Sequence, residues 1–135
     1  MKTSVSPLLR LALRLDAAAS AVIGVALSAF AAPLAGLFAL PQPLLLGAGL
    51  FCVGYAAVIA TMSTRDRLPR WSVWTVVIGN AVWATECLVL AFGDTFAPST
   101  TGVAFLLGQA MAVYAFAELQ YVGLRRGVDV RMAAA

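Results

Sequence analysis

Four long apolar runs, separated by short polar or proline- and glycine-rich segments, set the pattern of this chain. One of them, Trp71 to Phe92 (WSVWTVVIGNAVWATECLVLAF), is of helix length and carries Asn80, Trp83 and Glu86 in its interior. The other three cover residues of about 7–32, 44–62 and 103–124. At about 1.5 Å per helical residue, runs of this length span the roughly 30 Å hydrocarbon core of a bilayer with some tilt. The pattern therefore predicts an all-α integral membrane protein, a single domain over residues 1–135 built as an antiparallel up-down bundle of four transmembrane helices.

The connections support this division. PLAGLFALPQP, starting at Pro33, is an uncharged link in which Pro41 and Pro43 suit the end of one element and the start of the next. Ser63 to Arg70, STRDRLPR, is the most polar stretch, and Trp71 and Trp74 directly after it fit the aromatic belt of a membrane surface. Gly93 to Gly102, GDTFAPSTTG, is a turn-rich loop with one acid and no base. Beyond Arg125 and Arg126 a short tail, GVDVRMAAA, is expected to be mobile. In the second run Gly47, Gly49 and Gly54 offer close approach to a neighbour, without a GxxxG register.

Composition sharpens the membrane reading. The 135 residues are 62% hydrophobic and only 11% charged, far from the soluble norm of roughly half apolar and a quarter charged. The formal charge of +3 does not mark a nucleic-acid binder, because the nine basic residues fall at the amino-terminal segment, the middle loop and the carboxy-terminal segment. The first and third loops hold none. By the positive-inside rule both termini and the Arg65 to Arg70 loop face the cytoplasm, and a multi-pass protein of the cytoplasmic (inner) membrane is expected. Lys2, Arg10 and Arg14 ahead of an apolar run also suggest a secretory signal, but Arg14 and Asp16 interrupt that run, so an uncleaved first helix is preferred.

Candidate chemistry is narrowed by what is missing. There is no histidine, which excludes histidine-ligated haem, histidine metal sets and histidine acid-base catalysis. Cys52 and Cys87 lie in apolar helices without metal-ligand spacing, so no cofactor and no metal are expected.

Sorted by depth under this topology, the remaining polar residues form two groups. A cytoplasmic-side cluster would comprise Arg14 and Asp16 of the first helix and Glu118 and Gln120 of the fourth. An intramembrane pocket would be lined by Tyr55, Asn80, Trp83, Glu86, Gln109 and Tyr114. Asn80, Trp83 and Cys87, spaced i, i+3, i+7, share one helix face. An ionised carboxylate at a helix centre costs about 2.5 to 3.5 kcal/mol on insertion scales, so Glu86 is expected to be protonated, paired or facing a wet cavity. A hydrogen bond to Gln109 at similar depth is the plain expectation. The fourth helix carries two polar stripes, Tyr114, Glu118 and Tyr121 on one side and Gln109, Phe116 and Gln120 nearly opposite.

The arginine-led first helix, LLRLALRLDAAASAVIGVAL, together with the length and the short loops, loosely resembles small bacterial four-helix membrane proteins of the DoxX-like kind. The resemblance covers the hydropathy outline and implies the four-helix membrane fold, with no functional residue carried over. The expected function is that of a small non-enzymatic membrane protein that oligomerises, or binds a lipophilic ligand or a partner subunit of a larger membrane complex, within the bilayer. Its expected partners are membrane lipid, a lipophilic ligand and a second copy or other subunit against the fourth helix, with no nucleic acid. The alternatives are a small oligomeric transporter or channel using Glu86 or Asp16 and Glu118, and an intramembrane isomerase-type enzyme using Glu86 beside Asn80 and Trp83.

Overall fold

The computed structural model of the chain describes residues 2–133, with side chains described for 2–127. Among the described residues there are five α-helices and one two-stranded ribbon. Strand β1 (Lys2–Ser4) leads into α1 (Pro7–Ala29), and α2 (Ala31–Phe38) follows after a one-residue break. Then come α3 (Gln42–Ser63), β2 (Arg67–Pro69), α4 (Arg70–Phe92) and α5 (Thr100–Ala133). The all-α class expected from the hydropathy pattern is correct. Four of the five helices, α1, α3, α4 and α5, are long and apolar enough to cross a membrane.

Local chemistry sets the helix boundaries. Ser6 caps α1, its hydroxyl accepting the Leu9 amide at 3.1 Å, with Pro7 in the first turn where no intrahelical donor is needed. Pro41 precedes α3, and Pro69 precedes α4. Ser99 caps α5 by accepting the Gly102 amide at 3.0 Å, and its hydroxyl also donates to the Leu37 carbonyl at 2.6 Å, which fastens the start of α5 to α2.

Three features depart from the sequence expectation. The link after Pro33 is helical: α2 is closed by Ala39 at φ 53°, whose amide bonds the Ala35 carbonyl. A non-glycine left-handed residue does here what glycine usually does at a helix end. The amino-terminal segment and the arginine-rich loop pair as an antiparallel ribbon, with Lys2 opposite Pro69, Thr3 opposite Leu68 and Ser4 opposite Arg67. Finally, α5 continues to Ala133, so the expected tail is helical backbone as far as it is described, and Ala134 and Ala135 lie outside the described residues.

The packing is uneven. Helix α1 packs closely along α3, α4 packs along α5, and α1 meets α5, whereas α3 and α4, although consecutive, make almost no close backbone contact. Two crossings are backbone to backbone. A Cβ on Gly24 would lie 2.8 Å from the Val53 nitrogen and 2.9 Å from the Gly49 oxygen, and one on Gly123 would lie 2.7 Å from the Leu9 nitrogen. Ser6 reinforces the second crossing, its hydroxyl donating to the Gly123 carbonyl at 2.7 Å.

Two apolar cores result. One, at the ribbon end, gathers Leu9, Leu13, Ala17, Ile59, Leu68, Val73, Val76 and Leu124. The other, at the α2 end, gathers Leu27, Phe38, Leu40, Leu45, Ala84, Cys87, Leu106 and Ala110. Their outer surface is apolar too, with Val25, Leu50, Ile78, Leu88, Val89 and Met111 among many large hydrophobic side chains exposed. So extensive an apolar exterior is larger than monomeric soluble proteins commonly carry, and it lies on helices long and apolar enough to cross a membrane.

Candidate functional site: a buried polar knot beside an apolar cavity

Between the two cores all four long helices contribute one polar side chain to a single layer. Asp16 of α1 is 1% exposed and Gln120 of α5 is 0% exposed. The Asp16 Oδ2 accepts from the Tyr55 hydroxyl at 2.8 Å, from Asn80 Nδ2 at 2.9 Å and from Gln120 Nε2 at 2.7 Å. Its Oδ1 accepts from Ser20 Oγ, one turn along α1, at 3.3 Å. Asn80 spends its second amide hydrogen on Gln120 Oε1 at 3.1 Å, and the Tyr55 hydroxyl lies 3.0 Å from Asn80 Oδ1. Every one of these partners of Asp16 is neutral, and among the described residues no basic side chain reaches the carboxyl group. The layer lies roughly 10 to 15 Å along each helix from the ribbon end, at about 1.5 Å per residue.

This regroups the two sets drawn from the sequence. Asp16 and Gln120, placed with a surface cluster, join Tyr55 and Asn80, placed in a pocket. Arg14 and Glu118 are not part of the knot: both are exposed. Tyr114 is also outside, 58% exposed, with Glu118 one turn on as its hydrogen-bond partner. Helix phase explains the difference. The stripe of Gln109, Phe116 and Gln120 turns inward and the stripe of Tyr114 and Glu118 outward, a choice that the sequence of α5 alone leaves open. Arg10 belongs to the ribbon end, donating to the Ser63 carbonyl at 2.8 Å and pairing with Asp66 at 3.0 Å.

Against the knot lies a cavity of about 1030 Å³. Ser20, Tyr55 and Asn80 form its polar wall, and Leu15, Ala19, Ile23, Phe51, Cys52, Val113 and Phe116 are among its apolar lining. Beyond the close approach of α1 and α5 at Leu9 and Gly123, small residues contribute to its walls, Ala18 and Ala19 on α1 and Ala112 on α5. A second cavity of about 380 Å³ continues toward the α2 end, and the two share Ile23, Phe51, Trp83, Glu86 and Gln109 in their walls. Phe51 and Trp83 stack at 5.6 Å between centroids and 10° between planes, an aromatic bridge from α3 to α4 where the backbones stand apart.

Five of the six pocket residues expected from the sequence, Tyr55, Asn80, Trp83, Glu86 and Gln109, line the large cavity, whereas Tyr114 does not. Glu86 and Gln109 share both cavity walls, but the expected hydrogen bond between them is not made; among the described residues Glu86 has no hydrogen-bond partner. Ser20 and Phe51 were not singled out in the sequence. Each had a usable signal, Ser20 lying four residues from Asp16 and Phe51 four from Tyr55, which is one helical turn on the same face. Among the described residues no three histidine, cysteine, aspartate or glutamate side chains converge as a metal set would require.

Comparison of the chain with protein-family models, with curated proteins and with solved structures finds no match. The resemblance in hydropathy outline assigns no residue a role, so function has to be argued from the knot and the cavity.

Proposed function

We propose that this chain is a multi-pass protein of a cytoplasmic membrane, an antiparallel up-down bundle with both termini cytoplasmic, which holds a lipophilic molecule within the bilayer and is not an enzyme. The observation that carries this reading is the cavity of about 1030 Å³ between four membrane-length helices. Small-molecule sites are typically about 300 to 1,000 Å³, mostly apolar, with a few convergent polar groups, and the knot supplies such groups along one wall. The absence of histidine and the commitment of Asp16 to four donors leave little acid-base chemistry in the layer.

A transport reading has one supporting observation, the unpartnered Glu86 in the cavity wall. In that reading Asp16 and Glu118 no longer form a pair, since one is knotted inside and the other faces out. The outward Tyr114 and Glu118 stripe is the surface on which a second copy or a partner subunit would pack.

The test uses two leucine substitutions at glycines whose added Cβ meets nothing within 4 Å, Gly79, which lines the large cavity, and Gly54, which lines neither. Protein purified in mild detergent is extracted and its bound molecules weighed by mass spectrometry. A near-stoichiometric lipophilic molecule, depleted in Gly79→Leu and retained in Gly54→Leu, is expected. No bound molecule, or equal content in both variants, overturns the reading.

A further inference from the structure

Three carboxyl groups lie at the depth of the knot and the cavities; Glu118 faces outward, and the circumstances of the other two are opposite. Asp16 sits behind the polar wall, its oxygens taken up by Ser20, Tyr55, Asn80 and Gln120. Glu86 stands in the wall itself, common to both cavities, with no hydrogen-bond partner among the described residues. No lysine or arginine lines either cavity. The nearest base on its own helix, Arg70, is sixteen residues back, roughly 24 Å at about 1.5 Å per residue.

What such a wall selects follows from charge. An anionic head would meet a carboxyl group and no cation. A neutral head can hydrogen-bond the Glu86 carboxyl group but gives it no countercharge, and no other group in either wall supplies one. A cationic head meets the carboxylate, and it also meets Trp83, one helical turn before Glu86 and a member of both walls, whose indole is the strongest side-chain partner for a cation over a ring. The Gln109 amide across the cavity offers a further acceptor. The rest of the larger cavity is apolar enough and large enough for a long or bulky hydrocarbon body.

We propose that the cavity takes an amphiphile carrying a single positive charge, a protonated or quaternary amine on an apolar body, with its head at Glu86 and Trp83 and its body in the larger cavity. This rests on the lipophilic-ligand reading above and adds the charge of the ligand and the position of its head.

The experiment reads Trp83 as the sole tryptophan, in a Trp71→Phe, Trp74→Phe background of the full chain held in uncharged detergent. Two quenchers of equal chain length are titrated, a bromoalkyl trimethylammonium and the corresponding bromoalkyl alcohol. The cation is expected to bind about tenfold more tightly than the alcohol or better, with the difference falling to within about twofold in Glu86→Gln and persisting in Glu86→Asp, which keeps the charge. Equal binding of the two probes, or a cation preference that survives Glu86→Gln, overturns the charge assignment and leaves the lipophilic cavity standing. Saturable quenching by neither probe overturns the cavity reading along with it.

Discussion

At the scale of single residues, the contrast between Asp16 and Ser28 sets the expectations. Asp16 is one acceptor for four donors drawn from all four long helices, so removing it strands groups on every one of them. Asp16→Leu should cost about 2 to 4 kcal/mol, the range for leaving several buried donors unsatisfied. Tyr55→Phe removes one donor and leaves two others on the same oxygen, so it should cost about 0.6 to 1 kcal/mol, near the average for a hydrogen bond between membrane helices. Reversible unfolding in mixed micelles measures both, and equal costs would show that the knot is not held through Asp16. Ser28 Oγ is the reverse case, a buried hydroxyl with no partner, packed against Gly49. Ser28→Ala should be neutral or stabilising by up to about 1 kcal/mol in the same assay. Polar residue types were legible in the sequence, and so was the face shared by Asn80, Trp83 and Cys87, the first and last of which are buried. Partnership was not legible, because it depends on how each helix is rotated about its axis. Counting depth from the helix ends separated Asp16 and Gln120 from Asn80 and Tyr55, although the four are one hydrogen-bonded layer.

At the scale of elements, the four long helices were legible because length and apolar content set them, and proline marks three of their starts at Pro7, Pro41 and Pro69. Helix α2 and the ribbon were not, since three-residue strands and an eight-residue helix carry too short a pattern to stand out. The glycines make the same point about contacts. Of Gly47, Gly49 and Gly54, all equal candidates for close approach, only Gly49 is used, against Gly24 and Ser28 of α1. A Cβ on Gly47 or Gly54 meets nothing within 4 Å. Gly49→Leu should therefore force α1 and α3 apart and cost about 1 to 3 kcal/mol, the usual range for overpacking. Gly54→Leu should stay within about 0.5 kcal/mol of the parent, as surface substitutions do. Thermal loss of helicity in detergent, followed by circular dichroism, separates the two, and comparable losses would mean that the α1 and α3 crossing is not at Gly49.

At the scale of the whole molecule, the proposed orientation in the membrane rests on how charge and contacts coincide. The β1 and β2 pairing ties the amino-terminal segment to the arginine-rich loop, and the bonds of Ser4 to Gly127 and Ser6 to Gly123 tie both to the end of α5. Lys2, Arg10, Arg65, Arg67, Arg70, Arg125 and Arg126 are thus gathered at one end, while the 93–99 loop at the other carries Asp94 and no base. Under the positive-inside rule the proposed topology puts this end on the cytoplasmic side, and because the three basic segments are physically joined they share one side whichever way the bundle inserts. Single cysteines at Thr64 and Thr95, both exposed, read this out, since the native Cys52 and Cys87 are buried. In intact cells a membrane-impermeant maleimide should label Thr95→Cys and spare Thr64→Cys, with the pattern reversed in inverted vesicles. A uniform reversal would overturn the orientation while leaving the bundle intact. Labelling of Thr64→Cys from one side and of an amino-terminal tag from the other would be more serious, because no membrane orientation of a chain with a paired β1 and β2 can produce it.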